Sequence, residues 1–195
     1  MNLPADCAAI ESRTLLSCGR RIRASLNLSG SGDLPAFPWL YPYVEDGPRL
    51  DQVVQRPIVS TSLVGPTGEV SDGLYALVDS GCSHVLAAPW VAYAAGVEPK
   101  KSDRILQLGI GGATVSVRFV NLRVRLLAPG GTDEQFVEWE TEVGFFDQWK
   151  PTFLMILGQR GFLDQFTVTM SQFSQVTAVE ACEKFDERFG ILPAR

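Results

Sequence analysis

Residues 74–81 read Leu-Tyr-Ala-Leu-Val-Asp-Ser-Gly, so a short apolar run ends directly in a carboxylate, a hydroxyl and a glycine. Such a run is typical of a buried strand. A carboxylate at the end of that strand emerges from the core into a turn, which Gly81 permits and where Ser80 can hydrogen-bond to the backbone. The stretch predicts a strand over Leu74–Val78 with Asp79 at its end. Taken alone, it is also the pattern of an ordinary Asx-type turn.

Further strand patterns lie on both sides of this stretch. Val115, Val117 and Phe119 alternate with polar residues, which is typical of strands with one solvated face. Roughly eight short strands with little helix predict an all-β fold. The predicted strands cover residues 53–54, 58–59, 63–64, 74–78, 105–127 with a glycine break, 136–146, 153–157, 166–170 and 176–179, and the predicted helices cover 87–96 and 184–189.

The first 48 residues differ from the rest of the chain. A Ser-Gly-Ser-Gly run at residues 29–32 precedes a proline-aromatic stretch that includes Pro35, Pro38 and Pro42. Such proline density predicts neither regular helix nor sheet. We therefore expect an N-terminal arm or extension over residues 1–48, packed on the domain surface or mobile, and one domain over residues 49–195.

Composition excludes several classes of protein. The 195 residues carry 17 basic and 22 acidic side chains, a net charge of −5, which argues against non-specific nucleic-acid binding. An apolar content of 46% excludes intrinsic disorder, and no apolar run is long enough to span a membrane. Because the first residues lack an apolar signal segment, we expect a cytoplasmic protein without a membrane partner.

Cysteine and histidine usage argues against a bound metal. The four cysteines form no C-x-x-C pair, and His84 is the only histidine, so a structural zinc site is not expected. No cofactor is predicted. Scattered cysteines indicate reduced thiols, although a disulfide between Cys7 and Cys18 stays open.

The segment 76–83, Ala-Leu-Val-Asp-Ser-Gly-Cys-Ser, resembles the active-site loop of aspartic proteases. Other segments resemble the retroviral-type family, the retropepsins, in order and approximate spacing. Residues 55–59 resemble the first core strand of that family, 108–112 the glycine-rich flap, and 156–158 the hydrophobic-hydrophobic-Gly segment. Residues 161–166 also resemble bacterial members of the superfamily.

The resemblance extends over about residues 53–173. It implies an all-β, retropepsin-like closed β-barrel of a single lobe with short helices, and the activity of an aspartic endopeptidase acting on peptides or proteins. It implies that Asp79 is the catalytic carboxylate and that Ser80 and Gly81 support it. The residues implied to contact substrate are Ser83, Gly109, Ile110, Gly111, Gly112 and Ile156.

The chemistry of this class requires two carboxylates that share one proton, because like charges about 3 Å apart do not both ionise. The chain has a single Asp-Ser-Gly copy. Two carboxylates therefore require a two-fold homodimer with one Asp79 from each subunit. The alternative is a catalytically inactive dimerisation or peptide-binding module of the same fold, because an extended peptide can bind by strand addition without being cut.

Some positions depart from the family pattern. Members of the family often pair an Asp and an Arg at positions that resemble Ser83 and Gln159 here, so a neutral hydrogen bond is expected in place of the ion pair, or Arg160 serves instead. The glycines at 109–112 also fit an ordinary hairpin turn. His84 shares a short loop with Ser80 and is interpreted as an exposed loop residue or a substrate-side contact rather than a triad base. The aromatic residues Trp139, Phe145, Phe146 and Trp149 are expected to pack in the core.

Overall fold

A computed structural model describes residues 37–47, 53–110 and 112–190. Within these ranges the chain forms mainly strands, with two short α-helices and a 3₁₀ turn at Pro99–Lys101. The elements are β1 (Trp39–Pro42), β2 (Val44–Asp46), β3 (Val54–Arg56), β4 (Ile58–Val64), β5 (Leu74–Val78), β6 (Val85–Ala87), α1 (Pro89–Ala94), β7 (Ile105–Ile110), β8 (Ala113–Leu127), β9 (Phe136–Phe145), β10 (Met155–Leu157), β11 (Phe166–Ser171), β12 (Val176–Ala181) and α2 (Cys182–Phe189).

The largest sheet closes into a barrel. Its strands follow the order β4-β5-β10-β6-β9-β8-β7, and β4 also pairs with β8. That extra pairing joins both ends of a six-stranded set and leaves β7 as an outer strand. Closure removes the exposed edges that an open sheet would present. The predicted all-β, closed-barrel fold with short helices is confirmed.

The hydrophobic core contains the four aromatic residues that the sequence predicted to pack there. Trp139, Phe145, Phe146 and Trp149 are all buried. The Trp139 indole nitrogen donates a hydrogen bond to the Gly161 carbonyl at 2.6 Å, so the polar end of this large side chain is satisfied as it must be in a core.

The order of three strands determines where Asp79 lies. β10 separates β5 from β6, pairing parallel with β5 and antiparallel with β6. Because β5 and β10 are parallel, both end at the same end of the barrel. The connection from β5 to β6, residues 79–84, therefore crosses the chain where it leaves β10. The short strand β6 was not predicted from the sequence, and its last residue, Ala87, is the first residue of the predicted helix.

β7 and β8 form a hairpin whose outer part leaves the barrel. The two strands are in register from Ile105 opposite Arg118 to Ile110 opposite Ala113, with Gly112 in the turn. β9 pairs with β8 only from Arg118 onward. The described residues of the hairpin tip, 109, 110, 112 and 113, therefore pair with no barrel strand other than β7 and β8.

Part of the predicted N-terminal arm is regular sheet, which corrects the expectation that its prolines exclude one. β1 pairs with β12 in a separate sheet of order β1-β12-β11. Pro42 is tolerated because it is the last residue of an edge strand, where the missing N–H interrupts no central ladder. The Tyr41 hydroxyl donates to the Leu127 carbonyl at 2.7 Å, and burial raises the pKa of this tyrosine. Residues 1–36 of the arm, with Cys7 and Cys18, lie outside the described residues.

Candidate active site

Asp79 begins a tight turn at the end of β5. Its N–H donates to the Leu157 carbonyl at 3.1 Å, and its carbonyl accepts from the Cys82 N–H at 3.1 Å. The Gly81 N–H donates to Asp79 Oδ1 at 2.8 Å. A Cβ on Gly81 would lie 3.1 Å from the same oxygen. The backbone of the turn is thus bonded to one carboxylate oxygen, and the small residue at 81 permits that approach.

The turn is open on its outer side. Asp79 is half-buried, whereas Ser80 and Gly81 are exposed. Within the described chain, the Ser80 hydroxyl makes no hydrogen bond, so it is free to bind a second chain or a ligand. The sequence prediction of a carboxylate emerging from the core into a turn holds at Asp79.

The residues that follow β10 hold the 79–84 loop in place through backbone hydrogen bonds. The Gln159 N–H donates to the Cys82 carbonyl at 2.8 Å, and the Arg160 N–H donates to the Ser83 carbonyl at 3.1 Å. His84 and Arg160 form an isolated parallel bridge. Gly158 lies where the loop crosses the end of β10, directly against the backbone of the loop. Together these contacts hold the 79–84 loop against the end of β10.

The expected hydrogen bond between Ser83 and Gln159 is not formed, which corrects the sequence interpretation. The Gln159 side-chain amide instead donates to the Ser80 carbonyl at 2.8 Å. The Ser83 hydroxyl lies 2.8 Å from His84 Nδ1. The physical reason is the loop crossing: it brings the backbone of Ser80 over the amide of Gln159, and it gives Ser83 the adjacent imidazole as partner. Arg160 contacts the loop through its backbone.

His84 is buried, with 8% of its surface exposed, so its interpretation as an exposed loop residue is wrong, whereas a substrate-side contact stays a prediction. Its ring packs against Phe119, 5.0 Å between ring centroids. Burial is the main cause that lowers the pKa of His84, and the positive charges of Arg160 and Arg104 lower it further, while Glu142 acts in the opposite direction.

Cys82 occupies a half-buried position in the same loop. Its Sγ lies 3.2 Å from the His84 carbonyl oxygen. Burial raises the pKa of the Cys82 thiol, and the nearby Asp79 charge raises it further. Because the thiolate is the reactive form of cysteine, this environment disfavours a nucleophilic role for Cys82.

The remaining predicted residues fall in two places. Ile156 lies in β10 opposite Leu77, two residues before Asp79, and is half-buried. Gly109, Ile110 and Gly112 form the tip of the β7–β8 hairpin, where Gly112 has a φ of +81°. Gly111 lies outside the described residues.

The hairpin tip does not join the Asp79 loop within one chain. No hydrogen bond or ion pair links the two in the described ranges, and a Cβ at either Gly109 or Gly112 would meet no atom within 4 Å. The structure thus brings Asp79, Ser80, Gly81 and Ser83 together with β10, and places the glycine-rich tip as a free projection.

The arrangement offers carboxylate chemistry. A single Asp79 carboxylate, oriented by a backbone N–H and open on one side, can accept a proton or bind a water. Among the described residues, no group of three His, Cys, Asp or Glu side chains is placed to hold a metal ion. No helix in the same part of the chain is both long and apolar enough to cross a membrane.

No protein-family model matches the chain, and no curated protein matches it at a significant level. Among solved structures, it is similar to a retropepsin-like aspartic protease from Rickettsia conorii, with 12% sequence identity and a TM-score of 0.39. That match covers 74% of this chain and 94% of the other. A likeness at this level says nothing about the chemistry of Asp79, so the case for a function depends on the residues themselves.

Proposed function

We propose that this protein is an aspartic endopeptidase that works as a homodimer, with the Asp79 carboxylates of two subunits facing each other across a two-fold axis. The observation that carries the proposal is the Asp79 turn, in which the Gly81 N–H binds Oδ1 at 2.8 Å while Ser80 remains exposed. An oriented carboxylate at an open edge is what a dyad needs from each subunit.

In this mechanism the two carboxylates share one proton, since two adjacent negative charges repel. The ionised member takes a proton from a bound water, and the protonated member donates to the carbonyl oxygen of the scissile peptide. The water oxygen bonds to the carbonyl carbon to give a tetrahedral intermediate. Its collapse breaks the C–N bond: the carboxyl group that took the proton from water gives it to the leaving amine, and the other carboxylate takes a proton back from a hydroxyl of the intermediate, which restores the shared proton. Ser80 supports the dyad from beneath, next to the axis.

The substrate cleft in this proposal combines two parts of the fold. Ser83 and Ile156 flank the Asp79 turn, and the hairpin tip with Gly109, Ile110, Gly111 and Gly112 closes over the peptide as a flap. The substrate is a peptide or protein in extended form. A cytoplasmic location also belongs to the proposal, and it is supported by Cys82, which is a free thiol.

A second candidate is a peptide-binding module without catalysis. The observation that favours it is β7, which ends the large sheet and has no partner on its outer side in the described chain. Such an edge can take up an extended peptide as an added strand. Under this alternative the protein binds peptides in the same region but leaves them intact.

Peptide cleavage by the wild type and by Asp79→Asn, from pH 3 to 8, tests the proposal. We expect wild-type activity with a bell-shaped dependence on the acid side, because one shared proton is needed, and no cleavage by Asp79→Asn with an unchanged fold. Asp72→Asn is the matched control, since Asp72 is an exposed carboxylate just before the other end of β5. Retention of wild-type cleavage in Asp79→Asn would exclude Asp79 as the catalyst.

Sedimentation at high concentration, with and without a peptide analogue of the tetrahedral intermediate, tests the dimer. A strict monomer under both conditions contradicts the dyad. Peptide binding by both proteins without any cleavage would favour the binding module.

A further inference from the structure

The side chain of Gln159 contacts the candidate active-site turn at one specific atom. Its Nε2 donates to the Ser80 carbonyl oxygen at 2.8 Å. The side chain of Gln159 is exposed, so this hydrogen bond is not forced by packing in the core. The backbone of the same residue is bonded to the Cys82 carbonyl at 2.8 Å. Gln159 therefore binds the turn on both sides of Gly81.

The Ser80 carbonyl and the Gly81 N–H belong to one peptide unit. A peptide unit is planar and trans, so its C=O and N–H point in opposite directions and rotate together. The Gly81 N–H is the group that donates to Asp79 Oδ1 at 2.8 Å. Fixing the carbonyl at one side of this plane therefore fixes the direction of the N–H at the other.

We propose that Gln159 is a positioning residue that orients the Asp79 carboxylate through the Ser80–Gly81 peptide plane. This inference rests on the proposed function for its effect on catalysis, and on geometry alone for its effect on the carboxylate. The side-chain amide of Gln159 never touches the reacting atoms. It holds the peptide so that the Gly81 N–H stays aligned with Asp79 Oδ1.

Gln159→Met tests the role, because methionine has a similar length but no N–H donor. Loss of one neutral hydrogen bond predicts about a fivefold fall in kcat, or about 1 kcal/mol at 1.36 kcal/mol per tenfold. Gln159→Asn keeps the amide but is one methylene shorter, so it fails to reach the carbonyl and behaves like Gln159→Met.

Gln165→Met is the matched control. Its amide also donates to a neighbouring oxygen, Asp164 Oδ1 at 3.3 Å, but it has no contact with the turn. We expect this variant to keep the wild-type kcat and pH profile. If the fall in kcat came only from losing an exposed amide, kcat would fall equally in Gln159→Met and Gln165→Met.

The amide resonance of Gly81 gives a readout that does not need activity. In the wild type its hydrogen exchange is slowed by the bond to Asp79 Oδ1. In Gln159→Met we expect this exchange to become faster. Unchanged exchange overturns the proposal, whatever the kinetics. If no variant cleaves peptides while the Gly81 resonance responds as expected, the proposed function fails and the positioning role of Gln159 stands.

Discussion

Gly158 lies so close to His84 that a Cβ built on it would be 2.3 Å from the His84 carbonyl oxygen. It would also be 2.6 Å from the Cys82 carbonyl oxygen. Both obstacles are backbone atoms of the loop that crosses the end of β10, so neither can rotate away. The absence of a side chain at residue 158 is therefore what allows the candidate active-site loop to lie against β10.

Gly158→Ala should destabilise the protein by about 1–3 kcal/mol, the range for overpacking a tight site. We expect the loop to lift away from β10, with loss of the hydrogen bonds from Gln159 and Arg160. Urea unfolding measures the loss of stability. Gly109→Ala is the control, because a Cβ there meets nothing within 4 Å, and we expect a change within about 0.5 kcal/mol. Equal losses of stability in Gly158→Ala and Gly109→Ala would contradict the close contact between Gly158 and the loop that crosses β10.

The hairpin tip allows a test of flap function that is separate from stability. Gly109 and Gly112 both have open space around them, but only Gly112 has a positive φ, of +81°. Gly112→Val should therefore strain the turn by about 1–2 kcal/mol, whereas Gly109→Val should leave the melting temperature nearly unchanged.

Both substitutions should lower peptide turnover about tenfold or more if the tip closes over the substrate, because a side chain added at the tip keeps the peptide out of position. Gly109→Val is the decisive variant, because a loss of turnover in a protein of unchanged melting temperature cannot be explained by unfolding. Wild-type kcat/KM in Gly109→Val would mean that residues 109–112 form an ordinary hairpin turn.

Patterns that depend on neighbours in the sequence predicted most of the barrel. The strand Leu74–Val78 has the predicted bounds, and the long 105–127 segment divides at its glycines into β7 and β8 as expected. Helix α1 starts at Pro89 and is followed by Gly96 with a φ of +68°, as the proline and glycine signals indicated. These features are local, so a single sequence is enough to indicate them.

The features that the sequence did not predict depend on pairing between distant segments. β6 has three residues and is followed almost directly by an apolar helix, so no change in the spacing of apolar residues marks where the strand ends. It is a strand because β9 and β10 pair with it. β1 contains Pro42 and is a strand only because β12 lies beside it.

The candidate site shows the same division between local and distant causes. Asp79 and its turn follow from residues 74–81, whereas the Gln159 amide reaches Ser80 across 79 positions of sequence. Gln159 was recognisable only as a departure from a family pattern. Its actual partner is set by the position of β10 between β5 and β6, which no short-range pattern encodes.

His84 predicts a pH dependence of stability that can be assigned to one residue, because the chain has one histidine. Burial against Phe119, together with the charges of Arg160 and Arg104, lowers its pKa in the folded state from 6.5, and Glu142 opposes this only in part. Above pH 6.5 the imidazole is neutral in both states. As the pH falls below 6.5, the unfolded chain takes up the proton first, so the free energy of unfolding decreases until the pH reaches the folded-state pKa, and the contribution is constant below it.

We expect the single imidazole signal in NMR to titrate below 6.5, and urea unfolding of the wild type to show the decrease between pH 7 and 5. His84→Gln should lack this part of the slope, and Arg160→Gln should move the imidazole midpoint upward by removing a neighbouring positive charge. A midpoint at or above 6.5 in the wild type would mean that His84 is not held between Phe119 and these arginines in solution.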